Sequence, residues 1–277
     1  MTPRTALVTG ASRGVGRAAV DVLAHRGWRV LAGCRAPEDT GLQGRPGVEV
    51  ARMDMTDRAS VRAAVADAER LGGGRLDCLV NNAAYGVLGA VEDVDLDDAR
   101  AMFEANVFGA LAAMQDALPG MRARREGVIV NVSSIGGRIT NPFVGAYHAS
   151  KYALTSLSEA LALEVSPFGV RVALIEPGMV DTDFSANVRP SGSLARGEGP
   201  YAAMAGELGA GFRAWRERFS STADDVAVAI ADAAEDPSTP FQVLVGDDAK
   251  ELAAARARSD GDEFRAFTRE YLQLPWE

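Results

Sequence analysis

The stretch TALVTGASRGVGR, residues 5–17, decides the fold of this chain. It begins as a short β-rich apolar run and continues, after the closely spaced Gly10, Gly14 and Gly16, as the helical pattern GRAAVDVLAHRG. Glycines at a strand-to-helix turn permit a tight turn, and they let the backbone and the helix N-terminus approach a pyrophosphate, whose charge the helix dipole favours. Because this turn opens an array of strands and helices, the stretch predicts a dinucleotide-binding unit.

Short β-rich runs alternate with helical patterns along the rest of the chain. The runs WRVLAGC, VEVARMD, LDCLVNN, GVIVNVSS, VRVALIEPG and FQVLVG are typical of strands, and the longest helical pattern covers about 96–124. Continuous apolar runs such as VIVNV and VALIE suit strands that helices cover on both faces. The pattern predicts an α/β fold, a doubly wound seven-stranded parallel sheet (Rossmann fold) in a single domain over residues 1–277.

The pattern loosens between about 179 and 221, which includes the run RPSGSLARGEGPYAAMAGELGAGFRAWRERFSS. So long a weakly patterned insertion in a compact domain is typical of a lid, and we expect a substrate-binding lid there. The charged tail from about Ala249 is typical of a solvated helical cap, with a subunit contact as the alternative.

Composition excludes several classes of partner. The 277 residues carry 29 basic and 38 acidic side chains, a net charge of −9 that disfavours nucleic acid and anionic lipid. The apolar run in the first residues is too short for a secretory signal, and no apolar stretch approaches the roughly 20 residues of a spanning helix, so we expect a cytoplasmic protein. Cys34 and Cys78 stand in or beside strand-like runs, which favours reduced, partly buried thiols, and we expect no metal site.

The end of the second predicted strand bears on the choice of cofactor. An NAD-selective site carries an acidic residue there, about 20 positions after the glycines, but this chain has Cys34 and Arg35. Arg13 and Arg35 could pair with a 2′-phosphate, the alternative being two solvent-facing arginines, and NADP(H) is favoured over NAD(H). Asp54 could accept a hydrogen bond from the adenine amino group, or could equally cap the helix that begins near Asp57.

The motif YHASK, residues 147–151, provides a proton donor with a cation beside it. Tyr147 and Lys151 share a helix face about 5–6 Å apart. A phenol titrates near about 10, and a nearby ammonium should lower its pKa towards neutral pH. Ser134 ends the strand GVIVNVSS at the edge where ligands bind, and strand alternation favours it over Ser133. His148 points about 100° away from Tyr147, which indicates a structural or interface role.

These elements together resemble the short-chain dehydrogenase/reductase family in its single-domain branch. The resemblance is carried in order by TGASRGVG, Asp54, NNAA at 81–84, Asn106, Ser134, YHASK and PGMVDT at 177–182. Ala84 stands where the family usually has glycine. The stretch from Pro142 to Val180 looks most similar to the hydroxysteroid- and retinol-dehydrogenase-like members.

The resemblance implies an active site and a quaternary structure. It makes Asn106, Ser134, Tyr147 and Lys151 the catalytic residues, with Asn106 holding a water that links Lys151 to solvent. It implies that Asn82 and its neighbours line the adenosine and that Val180 and Thr182 contact the nicotinamide carboxamide end. Homodimers or homotetramers are usual in the family. The residues predicted for the cofactor are Gly10, Ser12, Arg13, Gly14, Val15, Gly16, Cys34, Arg35, Asp54, Met55, Asn82, Ala83, Tyr147, Lys151, Pro177, Gly178, Val180 and Thr182.

The predicted substrate wall is apolar, which favours a medium-to-bulky apolar ketone or its secondary alcohol. No arginine or lysine is obviously placed to bind an anionic substrate group, although Arg138 and Arg189 remain alternatives. Two other functions stay open: an NADP(H)-binding sensor or scaffold without turnover, and an epimerase or dehydratase. The residues predicted for the substrate are Tyr85, Ile135, Phe143, Val144, Met179 and Phe184, with Phe212 or Trp215 as additions.

Overall fold

A parallel sheet forms the centre of the computed structural model, which describes residues 3–182, 188–219 and 221–274. In chain order its strands are β1 (Thr5–Thr9), β2 (Arg29–Cys34), β3 (Val48–Arg52), β4 (Cys78–Asn81), β5 (Gly86–Leu88), β6 (Gly127–Val132), β7 (Val170–Pro177), β8 (Val180–Asp181), β9 (Val188–Pro190), β10 (Ser221–Thr222) and β11 (Gln242–Val245). In this described part, seven of them form one sheet in the order β11–β7–β6–β4–β1–β2–β3, all parallel. The predicted seven-stranded α/β fold is confirmed, and the strand order reverses between β1 and β4, where such sheets bind ligands.

Helices cover both faces of the sheet. In chain order they are α1 (Gly14–His25), α2 (Arg58–Leu71), α3 (Leu96–Phe103), α4 (Gly109–Arg124), α5 (Gly145–Val165), α6 (Gly192–Arg196), α7 (Tyr201–Arg218), α8 (Ala223–Glu235), α9 (Asp247–Arg258) and α10 (Gly261–Tyr271). Side chains alternate along β1, so Ala6 and Val8 pack with α1 and α8, whereas Leu7 packs with α2 and α4. This two-sided burial explains why the strands are continuously apolar.

The long helix expected over about 96–124 contains a π-helical turn. α3 passes into five residues of π-helix, Glu104–Phe108, before α4 begins. Such turns are rare and are frequent at functional sites. This one contains Asn106, whose side chain is buried.

A third apolar cluster joins the segment 179–221 to the C-terminal helices. Leu208 and Trp215 of α7 pack with Leu252 of α9 and Phe264 of α10. The sequence did not indicate α7, because its glycines weaken helix propensity and the helix packs through tertiary contacts with distant residues of this cluster. The prediction that the tail is a solvated cap is wrong for its inner face, which is buried in this cluster.

Cys34 and Cys78 are both free and buried. Among the described residues, no three His, Cys, Asp or Glu side chains converge in a way that could hold a metal ion. A search of that same part of the chain finds no helix both long enough and apolar enough to cross a membrane.

Candidate active site

The glycine turn lies at the carboxyl end of β1, beside the point where the strand order reverses. Gly10 has φ +67°, and a Cβ atom on it would approach the Cα atom of Ala83 to 2.8 Å. Gly16 packs against the Gly10 carbonyl group with no room for a side chain. These close approaches explain why glycine is required at both positions. Without side chains there, the backbone of the turn is open to a ligand.

Two polar side chains hold this turn, and one of them was not predicted. The Thr9 hydroxyl accepts hydrogen bonds from the backbone N–H groups of Asn82 and Ala83, both at 3.0 Å. Asn82 donates from Nδ2 to the Thr9 carbonyl at 2.9 Å. Asn82 therefore uses its amide to fix β4 against β1. Sequence patterns do not reveal Thr9, because a threonine in a strand is ordinary.

One open cleft of about 970 Å³ runs along the carboxyl edge of the sheet, from the glycine turn to the segment 179–221. Every residue predicted for the cofactor lines it. The close-packed glycine turn at one end and a run of backbone and polar groups along the floor fit an extended dinucleotide.

The end of the cleft next to β2 is basic. Arg13 precedes α1 and Arg35 follows β2, and both side chains are exposed at the cleft. Asp54 accepts from the backbone N–H of Thr56 at 3.0 Å, which holds the pKa of its carboxyl below its usual range. Asp57, and not Asp54, caps α2, so the capping alternative for Asp54 is wrong.

Ser134, Tyr147 and Lys151 meet in the middle of the cleft. Ser134 hydrogen-bonds Tyr147, and its Oγ also accepts from the Gly136 N–H at 3.0 Å. The Lys151 Nζ atom lies 5.9 Å from the Tyr147 ring centroid and donates to the Val132 carbonyl at 2.9 Å. The three side chains expected to share this site are therefore together.

Burial controls the protonation of both titrating groups. It raises the pKa of Tyr147 to about 12, against the opposing effect of the Ser134 hydrogen bond. Burial also lowers the pKa of Lys151 to about 8. Within the protein itself, desolvation of the phenolate thus acts against the lower Tyr147 pKa expected from a neighbouring positive charge.

Ser133 has a different environment from Ser134. Its hydroxyl lies 3.0 Å from the Thr155 Oγ1 atom and donates to the Lys151 carbonyl at 3.3 Å, both on α5. It ties β6 to that helix. Ser134, as expected from strand alternation, is the serine beside Tyr147.

Asn106 does not line the cleft but supports it from behind. Its Nδ2 atom donates to the Tyr85 carbonyl at 2.9 Å and to the Ser150 Oγ at 3.1 Å, and its Oδ1 accepts from the Tyr85 N–H at 3.1 Å. Ser150, which was not predicted, donates in turn to the Tyr147 carbonyl at 2.7 Å. Both amide protons are engaged, so the predicted water relay must use an oxygen atom of Asn106.

The half of the cleft beyond Tyr147 is mainly apolar. Tyr85, Ile135, Val144 and Met179 line it as predicted, and so do both residues named as additions, Phe212 and Trp215. Three residues that were not predicted also line it: Leu88, Ile139 and Val188. Phe184 lies outside the described residues.

Phe143 was predicted in this wall, and that prediction is wrong. It is buried away from the cleft, with its ring edge-on to Tyr201 at 5.9 Å between centroids. Its backbone has φ +63°, which turns the chain just before α5 and directs the side chain into the third cluster. No local sequence pattern predicts a phenylalanine whose backbone adopts the left-handed conformation.

The two arginines that remained alternatives for binding an anionic substrate group, Arg138 and Arg189, lie in different environments. Arg138 forms an ion pair with the fully buried Glu176, with contacts of 2.6 and 2.9 Å, and is not among the residues that line the cleft. Arg189 does line it, with its guanidinium 5.1 Å from the centre of the Tyr85 ring. Arg216 of α7, which was not predicted, lies exposed at the rim.

His148 has the structural position that its place in the motif indicated. It is buried, its Nδ1 atom accepts from the Asn141 N–H at 3.3 Å, and burial lowers its pKa to about 4. A neutral imidazole thus holds the loop between β6 and α5.

The family follows from the match over most of the chain. The family model for short chain dehydrogenase matches residues 4–192, and the chain belongs to this family. It is an oxidoreductase, an enzyme that acts on CH–OH groups.

Named relatives and solved structures are similar over most of their lengths. An oxidoreductase of Botryotinia fuckeliana, BOA17, is 35% identical over 92% of this chain and 94% of its own. A 3-ketodihydrosphingosine reductase of Bacteroides thetaiotaomicron is 40% identical over 68% of each chain. A Streptomyces avermitilis short-chain dehydrogenase superposes with TM-score 0.81 at 32% identity, covering 99% of this chain and 97% of that one. A Burkholderia cenocepacia relative, solved in complex with NADP, has TM-score 0.75 at 28% identity over 99% and 100% of the two chains. The closer likeness to hydroxysteroid- and retinol-dehydrogenase-like members stays a prediction.

Proposed function

We propose that this enzyme interconverts a medium-to-bulky apolar ketone and its secondary alcohol, with NADP(H) as hydride donor or acceptor. The observation that carries the proposal is the position of Tyr147. Its hydroxyl, hydrogen-bonded to Ser134, stands where the glycine-turn half of the cleft meets the apolar half. A carbonyl in the apolar half can there meet a proton donor and a hydride donor together.

Tyr147 moves the proton in this proposal. In the reductive direction its phenol, with a pKa raised to about 12, stays protonated at neutral pH and can donate to the carbonyl oxygen. Ser134 donates a hydrogen bond to the same oxygen as negative charge develops on it. When bound, the dinucleotide would supply the hydride. Lys151, largely an ammonium at neutral pH, stabilises the phenolate that remains and orients the ribose.

The basic end of the cleft supports the choice of NADP(H). Arg35 follows β2 where an acidic residue would select NAD, and Arg13 lies across the same end of the cleft. Guanidinium groups suit the oxygens of a 2′-phosphate. The Burkholderia relative in complex with NADP supports the same choice.

The apolar half of the cleft supports the class of substrate. Aliphatic and aromatic side chains form its walls, and the only cations found there among the described residues, Arg189 and Arg216, are exposed at its rim. The relative named as 3-ketodihydrosphingosine reductase acts, by that name, on a ketone.

The test follows NADPH absorbance with purified enzyme across aliphatic, aryl and steroid ketones, with NADH as the alternative donor. We expect turnover with NADPH and loss of at least about a hundredfold in kcat for Tyr147→Phe, since a positioned general acid contributes about 10²–10⁴-fold. Tyr152→Phe is the matched control, because Tyr152 lies exposed on the same helix and outside the cleft.

Three outcomes would overturn the proposal. NADPH binding without turnover of any ketone would favour a sensor, and products formed without net cofactor consumption would favour an epimerase or dehydratase. Equal activity of the Tyr147→Phe and Tyr152→Phe variants would remove Tyr147 from the proton step.

A further inference from the structure

Asp248 is a buried carboxylate outside the cleft that contacts two residues of its wall. It stands in the first turn of α9 and is 1% exposed. Its Oδ2 atom accepts from the backbone N–H of Met179 at 2.6 Å and from the indole Nε1–H of Trp215 at 3.1 Å. Met179 and Trp215 both line the apolar half of the cleft.

The carboxylate is held by N–H groups and not by a cation. No ion pair joins Asp248 to any basic side chain of the described residues. The backbone N–H of Ala249 also donates to it, while burial raises its pKa. Burying a carboxylate without a cation is costly, so this arrangement is stable only while its donors stay in place.

The surrounding backbone leaves space for this carboxylate. Gly178, which precedes Met179, packs directly on the carboxylate of Asp248, where any Cβ atom would overlap it. At Gly246, with φ +101°, a Cβ atom would come within 2.6 Å of the Asp248 Oδ1 atom. Three separate parts of the chain, the end of β7, α7 and the start of α9, therefore meet at one side chain.

We propose that Asp248 is a positioning residue that determines substrate specificity by fixing Met179 and Trp215 as the apolar wall of the cleft. This inference rests on the proposed function. The carboxylate does not touch the reacting atoms. It anchors α7 through Trp215 and the chain after β7 through Met179, and so sets the width of the cleft beyond Tyr147. A bulky ketone uses that wall, whereas a small ketone reaches Tyr147 without it.

The test compares Asp248→Asn with Asp247→Asn, its exposed neighbour, which pairs with Lys250 at 3.1 Å. Within the described part of the chain, the groups that hydrogen-bond the Asp248 carboxylate are all N–H donors, so the NH₂ group of an asparagine finds no acceptor among them. We expect Asp248→Asn to raise KM for a bulky aryl or steroid ketone by about tenfold or more, the size of a lost hydrogen bond to a charged group. The kcat for a small aliphatic ketone and the Kd for NADPH should change less than about twofold, within the range of a remote substitution.

A spectroscopic measurement can test whether Asp248 fixes Trp215 in the cleft wall, and it does not require turnover. Enzyme labelled with 5-fluorotryptophan carries three ¹⁹F labels, at Trp28, Trp215 and Trp276. Of these, Trp28 lies buried beside α1 and α8 and serves as the internal control. Asp248→Asn should shift or broaden the Trp215 resonance and leave Trp28 unchanged. Trp215→Phe assigns the signal, and it is the second kinetic variant: it removes one donor to Asp248 and should also raise KM for the bulky ketone.

Each outcome decides the inference. If Asp248→Asn matches Asp247→Asn in KM and in the Trp215 resonance, the inference is wrong. It is also wrong if bulky and small ketones and NADPH are all impaired alike, because that indicates general loss of structure. If Asp248→Asn does not fold, an unchanged KM in Trp215→Phe overturns the inference and a raised KM supports it. If the parent enzyme reduces no ketone, the proposed function fails, and the ¹⁹F spectra still test whether Asp248 holds Trp215.

Discussion

At the scale of single residues, Lys151 shows how the fold changes ordinary side-chain chemistry. Its ammonium is buried, hydrogen-bonded to the Val132 carbonyl at 2.9 Å, and has no carboxylate partner among the described residues. Burial lowers its pKa from 10.5 to about 8. The buried ammonium that we propose acts on Tyr147 therefore reduces the stability of the folded protein at neutral pH.

The pH dependence of stability should reveal this effect. Between pH 8 and 10.5 the unfolded chain still holds the Lys151 proton that the folded protein has lost, so the free energy of unfolding contributed by this residue rises with pH. That contribution is complete above the unfolded pKa and is lost as pH falls through the folded pKa. Urea unfolding at several pH values from 7 to 9.5 should show this rise in the parent and not in Lys151→Met. Lys250→Met, at an exposed lysine, should retain the parental slope; a parental slope in Lys151→Met would contradict the prediction.

Arg35 provides the residue-scale prediction for the cofactor. Its exposed guanidinium follows the last residue of β2 at the basic end of the cleft. Arg35→Ser should raise the Kd for NADPH by about tenfold or more, because it removes a charge-assisted contact with the 2′-phosphate, and should leave the Kd for NADH nearly unchanged. Arg29→Ser, at the opposite end of the same strand, is the control. Titration by cofactor fluorescence measures both constants, and equal weakening of NADPH and NADH binding would show that Arg35 does not recognise the phosphate.

At the scale of elements, the ends of β6 and β7 are joined by a buried ion pair. Arg138, which follows the turn Ile135–Gly137 after β6, contacts the fully buried carboxylate of Glu176 in β7. The pair connects the turn that begins beside Ser134 with the strand that leads to Pro177 and Gly178. It therefore stabilises two segments that line the middle of the cleft.

Replacement of Arg138 should lower the free energy of unfolding far more than replacement of a surface arginine. Arg138→Ala leaves an uncompensated buried carboxylate, and we expect a loss of about 3–5 kcal/mol in the free energy of unfolding. Arg265→Ala breaks the ion pair between Arg265 and Asp262, whose side chains are 80% and 89% exposed respectively. It should change the free energy of unfolding by less than about 0.5 kcal/mol. Denaturant unfolding measures both. The double variant Arg138→Ala, Glu176→Gln should regain part of the loss, and a loss as large as in the single variant would show that charge burial is not the cause.

At the scale of the whole molecule, the segments that contain α4 and α5 contact each other at two places and have exposed apolar side chains on or next to them. Asn106 contacts Ser150 near the start of the two helices, and the Arg122 guanidinium lies 5.8 Å from the Phe168 ring centre near their ends. Leu163 of α5 is exposed, and so are Phe108, the last residue of the π-helical turn before α4, and Phe168, which follows α5. The homodimer or homotetramer implied by the family resemblance would cover such a face.

Leu163→Lys should shift the protein towards a smaller species, because it places a charge in the predicted subunit interface. Val91→Lys is matched in exposure, 79% against 78% for Leu163, and lies outside the helix pair. Sedimentation velocity of the parent and both variants measures the assembly. A monomeric parent, or an equal shift in both variants, would contradict the predicted interface.

Local sequence patterns were sufficient for the fold and for most of the cleft. Apolar runs, the glycine turn and the ends of the strands predicted a parallel sheet, and the carboxyl ends of such strands lie on one edge. Most of the residues predicted for the cofactor, together with Ser134 and Tyr147, follow strands or lie in the first turn of helices at this edge, so topology brings them together. α7 and the buried face of α10 were not predicted, because both pack in a cluster of residues that are far apart in the chain.

The amino-acid sequence by itself determined the class of fold, the family, and which residues line the glycine-turn half of the cleft. Only the tertiary structure decided that the Tyr147 pKa is raised, that Phe143 points away from the cleft, that Arg138 pairs with Glu176, and that Asp248 holds Met179 and Trp215. The physical reason is the separation along the chain of the residues that interact. Strand, turn and helix preferences act between neighbours in the chain, whereas desolvation and buried hydrogen bonds depend on residues brought together from far apart, as with Met179 and Asp248, 69 positions apart.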